Sequence, residues 1–348
     1  VTTTITISVN TGSTADTVYD ALGSQTVVVT TTDDDSAGIT ITATGGSTAV
    51  SETGTTDTFT VVLNTLPTSS VVIDISSADS TETSISPSTL TFTTGDWNTA
   101  QTVTVTGVDD DLDDGNQASN VLVDVNNGST SDGNYSGLAT INVGVTTTDD
   151  DTSNFTITET AGTSVAESGT TDTFTVVLNA QPTGNVAFAI SSDDTGEATV
   201  TSSLTFTTGD WNTAQTVTVT GVNDSEDDGN QTPAVTVAIN TGSTNDSIYD
   251  AVADQTVSVT VTDDDSAGFT VTETGGTSVS ESGTSDTFTV VLDSQPNTRV
   301  RFNLTSGDTN EVLVSPAAIT FDDTNWNVAQ TVTVSGTTDN EDDGDQTI

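Results

Sequence analysis

The sequence predicts an all-β fold in which antiparallel two-sheet sandwiches repeat in tandem. Three observations predict it. First, apolar and polar residues alternate over short runs, as in Thr58-Phe59-Thr60-Val61-Val62-Leu63, Gln101-Thr102-Val103-Thr104-Val105-Thr106 and Thr256-Val257-Ser258-Val259-Thr260-Val261. A period of two carried by Val, Ile, Thr and Phe belongs to half-buried strands, and no stretch joins a helical period to helix caps. Second, clusters of Gly, Asn, Asp, Ser and Pro separate these runs, as turns require. Third, the chain repeats itself: Trp97, Trp211 and Trp326 are spaced by 114 and 115 residues, and Glu52, Glu167 and Glu281 by 115 and 114. That period exceeds the roughly 20–50 residues of a solenoid repeat and fits one small domain.

The second unit shows the elements in order. Alternation predicts strands near Phe155 to Thr158, Asp172 to Leu178, Val186 to Ser191, Leu204 to Thr207, Gln215 to Val222, Ala234 to Asn240 and Thr256 to Thr262. Some seven short antiparallel strands in a unit of this size indicate an immunoglobulin-like sandwich. The repeat phase sets the boundaries. Residues 1–35 match the tail of a unit, since Asn10-Thr11-Gly12-Ser13-Thr14 recurs as Asn240-Thr241-Gly242-Ser243-Thr244. Residues 36–151 and 152–265 form complete units, and residues 266–348 form the first part of another, giving a linear array.

Composition narrows the function. The chain carries 51 Asp and Glu against 2 Lys and Arg, for a formal net charge of -49. Both cations, Arg299 and Arg301, lie in one stretch, so the acids need a counterion from outside the chain. Such a charge repels nucleic acid and anionic membrane, and no apolar run is long enough to span a bilayer. The chain contains no Cys, Met, His or Lys. Thiol, imidazole and amine nucleophiles are therefore absent, as are His- or Cys-based zinc sites and phosphate-loop lysines. A carboxylate acid–base pair is the one catalytic device left in principle. With 31% hydrophobic residues, composition alone permits disorder, but the alternation and the repeat argue against it.

Three acidic features recur in register. One is the Glu of Val50-Ser51-Glu52-Thr53-Gly54, Val165-Ala166-Glu167-Ser168-Gly169 and Val279-Ser280-Glu281-Ser282-Gly283. The next is a turn after the strand that follows Trp, Gly107-Val108-Asp109-Asp110-Asp111-Leu112-Asp113-Asp114-Gly115, then Gly221-Val222-Asn223-Asp224-Ser225-Glu226-Asp227-Asp228-Gly229. The last is a closing triple Asp: Asp33-Asp34-Asp35, Asp149-Asp150-Asp151 and Asp263-Asp264-Asp265. Strand ends gather at the two poles of a sandwich, so turn and triple Asp can share one. Carboxylates that close stay ionised only around a cation, and Ca²⁺ takes about six to eight oxygens. A single Asp run is ordinarily a solvated loop; the registered repetition is what favours metal. Asp224-x-Glu226-x-Asp228-Gly229 has the early spacing of an EF-hand loop, but its twelfth position is Val235 and no helices flank it.

On these residues the chain resembles the Calx-beta domain. The Val-x-Glu-x-x-Gly start, the strand Leu90-Thr91-Phe92, the Thr-Val-Thr-Val strand running into Asp-Asp, and the closing Asp-Asp-Asp carry the resemblance across every unit. It implies Ca²⁺ at one pole, held in the first complete unit by Glu52, Asp109, Asp110, Asp114, Asp149, Asp150 and Asp151. Glu82 stands near the place of a further family ligand, and Leu112 offers its carbonyl. The same resemblance implies Glu167, Glu197, Asp224, Asp228, Asp263, Asp264 and Asp265 in the second unit. In the partial units it implies Glu281, Glu311, Asp339 and Asp343, with Asp33, Asp34 and Asp35. Gln117, Gln231 and Gln346 replace an acid common in the family, and Asn223 stands where Asp109 does, which implies fewer ions or weaker sites.

The expected role is a calcium-stiffened structural repeat of an extracellular filament, surface layer or adhesin stalk at the cell surface. The alternative is an adhesin module that binds a sugar, protein or surface, although no unit carries a distinctive insertion. A calcium sensor ranks below both, because near-identical copies suit spacing better than sensing, and an enzyme ranks last. Each Trp is expected to lid one end of a core, with a contact between chains as the other reading. Thr-rich faces are interrupted by Asp and Gly, against ice binding, and sequons such as Asn127-Gly128-Ser129 arise readily in a Thr-rich chain. Residues 266–348 and 1–35 are complementary halves. Continuation of the chain, the favoured route, or head-to-tail addition of a copy would complete the sandwich, letting Glu281, Asp339 and Asp343 share calcium with Asp33, Asp34 and Asp35.

Overall fold

The computed structural model describes residues 1–338 and 344–347. The chain divides into two compact units, Val1–Asp110 with Asp114–Asp150, and Asp111–Asp113 with Asp151–Ile348.

The first unit opens with a hairpin of β1 (Thr2–Ile7) and β2 (Gln25–Thr30), with a short helix, α1 (Thr17–Asp20), between them. There follow β3 (Ile39–Ala43), β4 (Thr48–Ser51), β5 (Thr56–Leu63), β6 (Val71–Ser77), β7 (Thr83–Ser86), β8 (Thr89–Phe92), β9 (Gln101–Gly107), β10 (Gln117–Val125) and β11 (Ile141–Thr148). These nine strands form two sheets, ordered β3-β5-β9-β7 and β4-β11-β10-β6-β8.

The second unit repeats this pattern with β12 (Phe155–Glu159), β13 (Thr163–Ala166), β14 (Thr171–Leu178), β15 (Val186–Ser192), β16 (Ala198–Val200), β17 (Ser203–Phe206), β18 (Gln215–Gly221), β19 (Ala234–Ile239) and β20 (Gln255–Thr262). Their sheets are ordered β12-β14-β18-β16 and β13-β20-β19-β15-β17. It continues with β21 (Phe269–Glu273), β22 (Ser285–Leu292), β23 (Val300–Asn303), β24 (Val312–Ser315), β25 (Ala318–Phe321) and β26 (Gln330–Gly336). Here the sheets are β21-β22-β26-β24 and, with two strands only, β23-β25.

Alternation builds the cores. In β14 every second residue, Phe174, Val176 and Leu178, is buried, and β18 contributes Val217 and Val219. The facing sheet supplies Phe188, Ile190, Val235, Val237, Val257 and Val259 to the same cluster. Each such side chain stabilises the fold by roughly 1.5–3 kcal/mol through apolar burial. Phe155, Phe188 and Phe206 stack edge to face at 5.0 and 5.8 Å. Trp97, Trp211 and Trp326 pack half-buried against their respective cores. The carbonyl of each accepts the amide of a core leucine, Leu63, Leu178 or Leu292.

The structure adds two strands to the seven predicted for a complete repeat. The four-residue β13 and three-residue β16 are too short for alternation to show. What reads as one opening strand and a loop is a single segment that crosses between sheets, with Ala161 and Gly162 at positive φ (67° and 85°). After the crossing, β13 runs parallel to β20, from Thr163 opposite Val259 to Ala166 opposite Thr262.

Candidate metal centre

The crossing matters because it sets Glu167 beside the end of the last strand. Directly after β13, the Glu167 amide donates to the Thr262 carbonyl at 3.1 Å, and Asp263 follows Thr262. On the other sheet, β18 ends at Gly221, and the Val222 amide donates to the Glu197 carbonyl at 2.8 Å. That bond ties the acidic turn to Glu197 at the start of β16. Four strand ends thus deliver Glu167, Glu197, the turn and the triple Asp to one pole. The first unit builds the same arrangement, with Glu52 N donating to Thr148 O at 3.1 Å and Val108 N to Glu82 O at 2.9 Å.

Turn and triple Asp are stitched together by side chains. Gly229 N donates to Asp263 Oδ2 at 2.7 Å, and Asp263 N to Asn230 Oδ1 at 3.2 Å. The first unit has Gly115 N to Asp149 Oδ2 at 2.7 Å and Asp149 N to Asn116 Oδ1 at 3.2 Å. Asn116 and Asn230 were not among the sequence-predicted residues. The signal was present as the shared Asp-Asp-Gly-Asn in both turns.

The two glutamates of each repeat are buried: Glu52 and Glu167 are 1% exposed, Glu82 5% and Glu197 8%. Oε2 of each, and also Oε1 of Glu167, has no hydrogen-bond partner. A buried carboxylate oxygen left unpaired costs the fold its full desolvation penalty, on the order of several kcal/mol when charged. Burial, reinforced by Asp149, Asp110 and Glu82, pushes Glu52 to about 7. Burial together with Asp263, Asp224, Glu197 and Asp228 does the same to Glu167, also to about 7. Glu82 and Glu197 rise for the same reason, with Asp114 and Asp228 as their largest charged neighbours.

In the second unit, oxygens of Glu167, Glu197 and Asp228 lie within 4.8 Å of one another, and so do oxygens of Glu167, Asp264 and Asp265. Two ligands on one Ca²⁺, each at about 2.3–2.6 Å, span at most roughly 5 Å, so both groups have the size of a calcium shell and Glu167 belongs to both. All-oxygen donors suit a hard cation. Burial, Asp264 and Asp263 also push Asp265 upward. In the first unit, oxygens of Glu52 and Asp149 lie within the same 4.8 Å. Asp110 and Asp114 face the glutamates there, and the Asp150 amide donates to Glu52.

Other predicted residues sit differently. Asp109 is exposed, and Asn223 turns its amide to the Asp224 carbonyl. Asp150 is exposed and Asp151 belongs to the second unit, while Asp264, though exposed, is one of the group with Glu167 and Asp265. Asp33, Asp34 and Asp35 group together but stay exposed. Glu281 is exposed where its counterparts are buried, and Glu311 is half-buried with its carbonyl bound by Thr337 N at 2.8 Å. Asp339 and Asp343 lie outside the described residues.

A glycine fixes how close the glutamate loop comes. A Cβ on Gly221 would run into the Ala166 carbonyl, and Gly107 and Gly336 stand in the same way against Ser51 and Ser280. Gly221→Ala is expected to push residues 166–167 away from β18, costing about 1–3 kcal/mol and weakening divalent binding in that repeat. Thermal melts and calcium titrations of the variant check this; unchanged values in both would show that the close approach is not needed.

No known family profile matches the chain, and no curated protein matches it. Among solved structures, a crystal structure of CBD12 from CALX1.2 is 13% identical and covers 57% of this chain and 79% of its own, with a TM-score of 0.25. Domains 4 and 5 of the S-layer protein SbsC are 20% identical over 55% of this chain and 76% of their own, with a TM-score of 0.26. Domains 1–6 of SbsC are 15% identical, covering 90% of this chain and 38% of their own, with a TM-score of 0.28. At these scores the functional reading has to come from the acidic pole itself. No helix among the described residues is long and apolar enough to cross a membrane.

Proposed function

We propose that each complete repeat binds Ca²⁺ at its acidic pole and that the array serves as a calcium-stiffened structural spacer outside the cell, in a filament, surface layer or adhesin stalk. One observation carries the reading. Glu52, Glu82, Glu167 and Glu197 are buried, carry unpartnered carboxylate oxygens and stand among further acids, in register in both complete repeats. No fold keeps such groups charged without a cation, and the two arginines lie elsewhere, with Arg299 beside Asp322.

In this reading Glu167 and Glu197 hold the ion from the buried side, and Asp228, Asp264 and Asp265 close it from the turn and the last strand. Glu52, Glu82, Asp110, Asp114 and Asp149 do the same in the first repeat. The ion supplies charge compensation and cross-links four strand ends; the role is mechanical, not catalytic. Binding at several strand ends is what stiffening requires, because the turn and the last strand then cannot move independently.

Isothermal titration of the 348-residue chain with CaCl₂ at neutral pH is expected to show at least one site per complete repeat. MgCl₂ should bind far more weakly, since Mg²⁺ demands tighter octahedral geometry and sheds water reluctantly. An absence of binding heat at millimolar calcium, with the chain folded by circular dichroism, would rule the proposal out.

A further inference from the structure

The acidic turn faces two ways. In the second repeat it runs from Asn223 to Gly229, between β18 and β19. On one side Asp228 stands with Glu167 and Glu197, and Gly229 N donates to Asp263 Oδ2. The tip, Ser225-Glu226-Asp227, belongs to neither carboxylate group around Glu167 and reaches the repeat that follows. The Ser225 carbonyl accepts the amide of Gln295, in the loop after β22, at 2.7 Å, and Glu226 pairs with Gln295 as a parallel bridge. Gln295 Nε2 also donates to Glu226 Oε1 at 3.3 Å. Asp227 Oδ2 accepts the amide of Ala267, just beyond the triple Asp, at 2.6 Å. All of these residues lie in one compact unit.

The same device occurs one repeat earlier. The Gln181 amide donates to the Asp111 carbonyl at 2.6 Å, Leu112 pairs with Gln181 as a parallel bridge, and the Ser153 amide donates to Asp113 Oδ2 at 2.6 Å. Asp111–Asp113 accordingly group with the second repeat and not with the repeat whose turn they belong to. Gln181 and Gln295 each stand between a buried residue, Ala180 or Ser294, and a proline. Leu112 and Glu226 differ in chemistry at the same place, so the backbone pairing and the aspartate carry the grip.

We propose that Gln295 and Asp227 are positioning residues for the calcium pole of the second repeat, holding its turn in the shape that presents Asp228 to the ion. The proposal rests on the calcium reading of that pole. A turn free at its tip has to be ordered by the ion itself, and the entropy of that ordering is subtracted from the affinity. Tied at Ser225 by the Gln295 amide and at Asp227 by the Ala267 amide, the turn is ordered before the ion arrives. Asp227 acts here through a hydrogen bond and not through its charge, and Gln295 acts from the following repeat. Calcium affinity is thus set in part by residues outside the carboxylate shell.

Calcium titration of the full-length chain, followed by hydrogen exchange and mass spectrometry of its peptides, reads each turn separately. Peptides covering 222–231 report the second repeat, and peptides covering 108–117 report the first. Asp227→Ala removes the anchor at an exposed position, so no core contact is lost. It is expected to raise the calcium concentration that half-protects 222–231 by roughly tenfold, within the usual range of coupling between sites, and to leave that of 108–117 unchanged. Asp227→Asn loses the same charge but keeps an oxygen that accepts from Ala267 N, so it should retain the wild-type midpoint. Equal weakening by Ala and Asn would make Asp227 a ligand or a plain source of charge, and overturns the proposal. So does a shift of both turns together, or a midpoint that neither variant moves. A wild-type chain that gains no protection from calcium at either turn removes the calcium reading and this proposal with it. Protection that does not respond to Asp227→Ala removes this proposal alone.

Discussion

Calcium is expected to raise the melting temperature of this chain by on the order of 10 °C, and a chelator to reverse the gain fully. Ligand bound only to the native state stabilises it by about 2.7 kcal/mol per site at a hundredfold excess over the dissociation constant. For a repeat of this size each kcal/mol moves the transition by roughly 4 °C. The effect is large because the ion does two things at once. It adds its own binding energy, and it compensates buried carboxylates that are a standing cost in its absence, with Glu167 lacking a hydrogen-bond partner at either oxygen. Specificity separates this from simple screening of a net charge of -49. Sodium chloride at matched ionic strength screens charges beyond about 8 Å, but a monovalent ion compensates a cluster of buried carboxylates far more weakly than Ca²⁺ does. Differential scanning calorimetry in calcium, in chelator and in matched sodium chloride checks the expectation. Equal shifts in calcium and sodium would mean that the acidic pole is an ordinary solvated surface.

The fold and the acidic pole were legible to different depths. Alternation in runs such as Gln101–Gly107 and Gln215–Gly221 marks a strand and its buried face together, because side-chain direction and burial share a period of two. The sheet crossing at Ala161 and Gly162 was not legible, because the four residues of β13 that follow it leave no room for a pattern. Yet that crossing buries Glu167, and sequence alone could not separate buried Glu52 and Glu167 from exposed Asp150 and Asp264, which look just as acidic. The repetition of Glu52, Glu167 and Glu281 in register was the stronger signal, since one residue kept among otherwise changing loops implies a fixed place. Glu281 repeats the motif and stands exposed, and among the described residues no strand lies beside it in the place that β20 takes beside β13. Sequence repetition specifies what a segment can build, whereas burial depends on the neighbours being present.

Acidification is expected to stabilise the calcium-free chain, against the usual behaviour of proteins held by ionised carboxylates. Glu52 and Glu167 are pushed to about 7 from an ordinary 4.5, and Glu82 and Glu197 are also raised. Between those values the native state binds more protons than the unfolded state, so stability falls as pH rises from about 4.5 to about 7 and is level above. In chelator, the melting temperature should therefore climb as pH drops from 8 toward 5. Further acidification reverses the trend, because Asp132 and Asp246 lie below the usual carboxylate range. For both, burial pushes upward but is outweighed by hydrogen bonds, for Asp246 from Thr183 and Tyr249 amides. With saturating calcium the sign between pH 5 and 7 inverts: the ligands are held ionised, protons compete with the ion, and stability rises with pH. Glu167→Gln combined with Glu197→Gln isolates the cause. Neutral amides remove the buried charge, so the second repeat should gain stability in chelator at pH 8 and lose both its pH dependence and its response to calcium. The first repeat, with Glu52 and Glu82 intact, should keep both. Melting curves for the two proteins at pH 5, 6, 7 and 8, with and without calcium, contain the whole comparison. A calcium-free chain that loses stability steadily from pH 7 to 5 would show that these glutamates are ionised without a metal, and the pole would then need another source of positive charge.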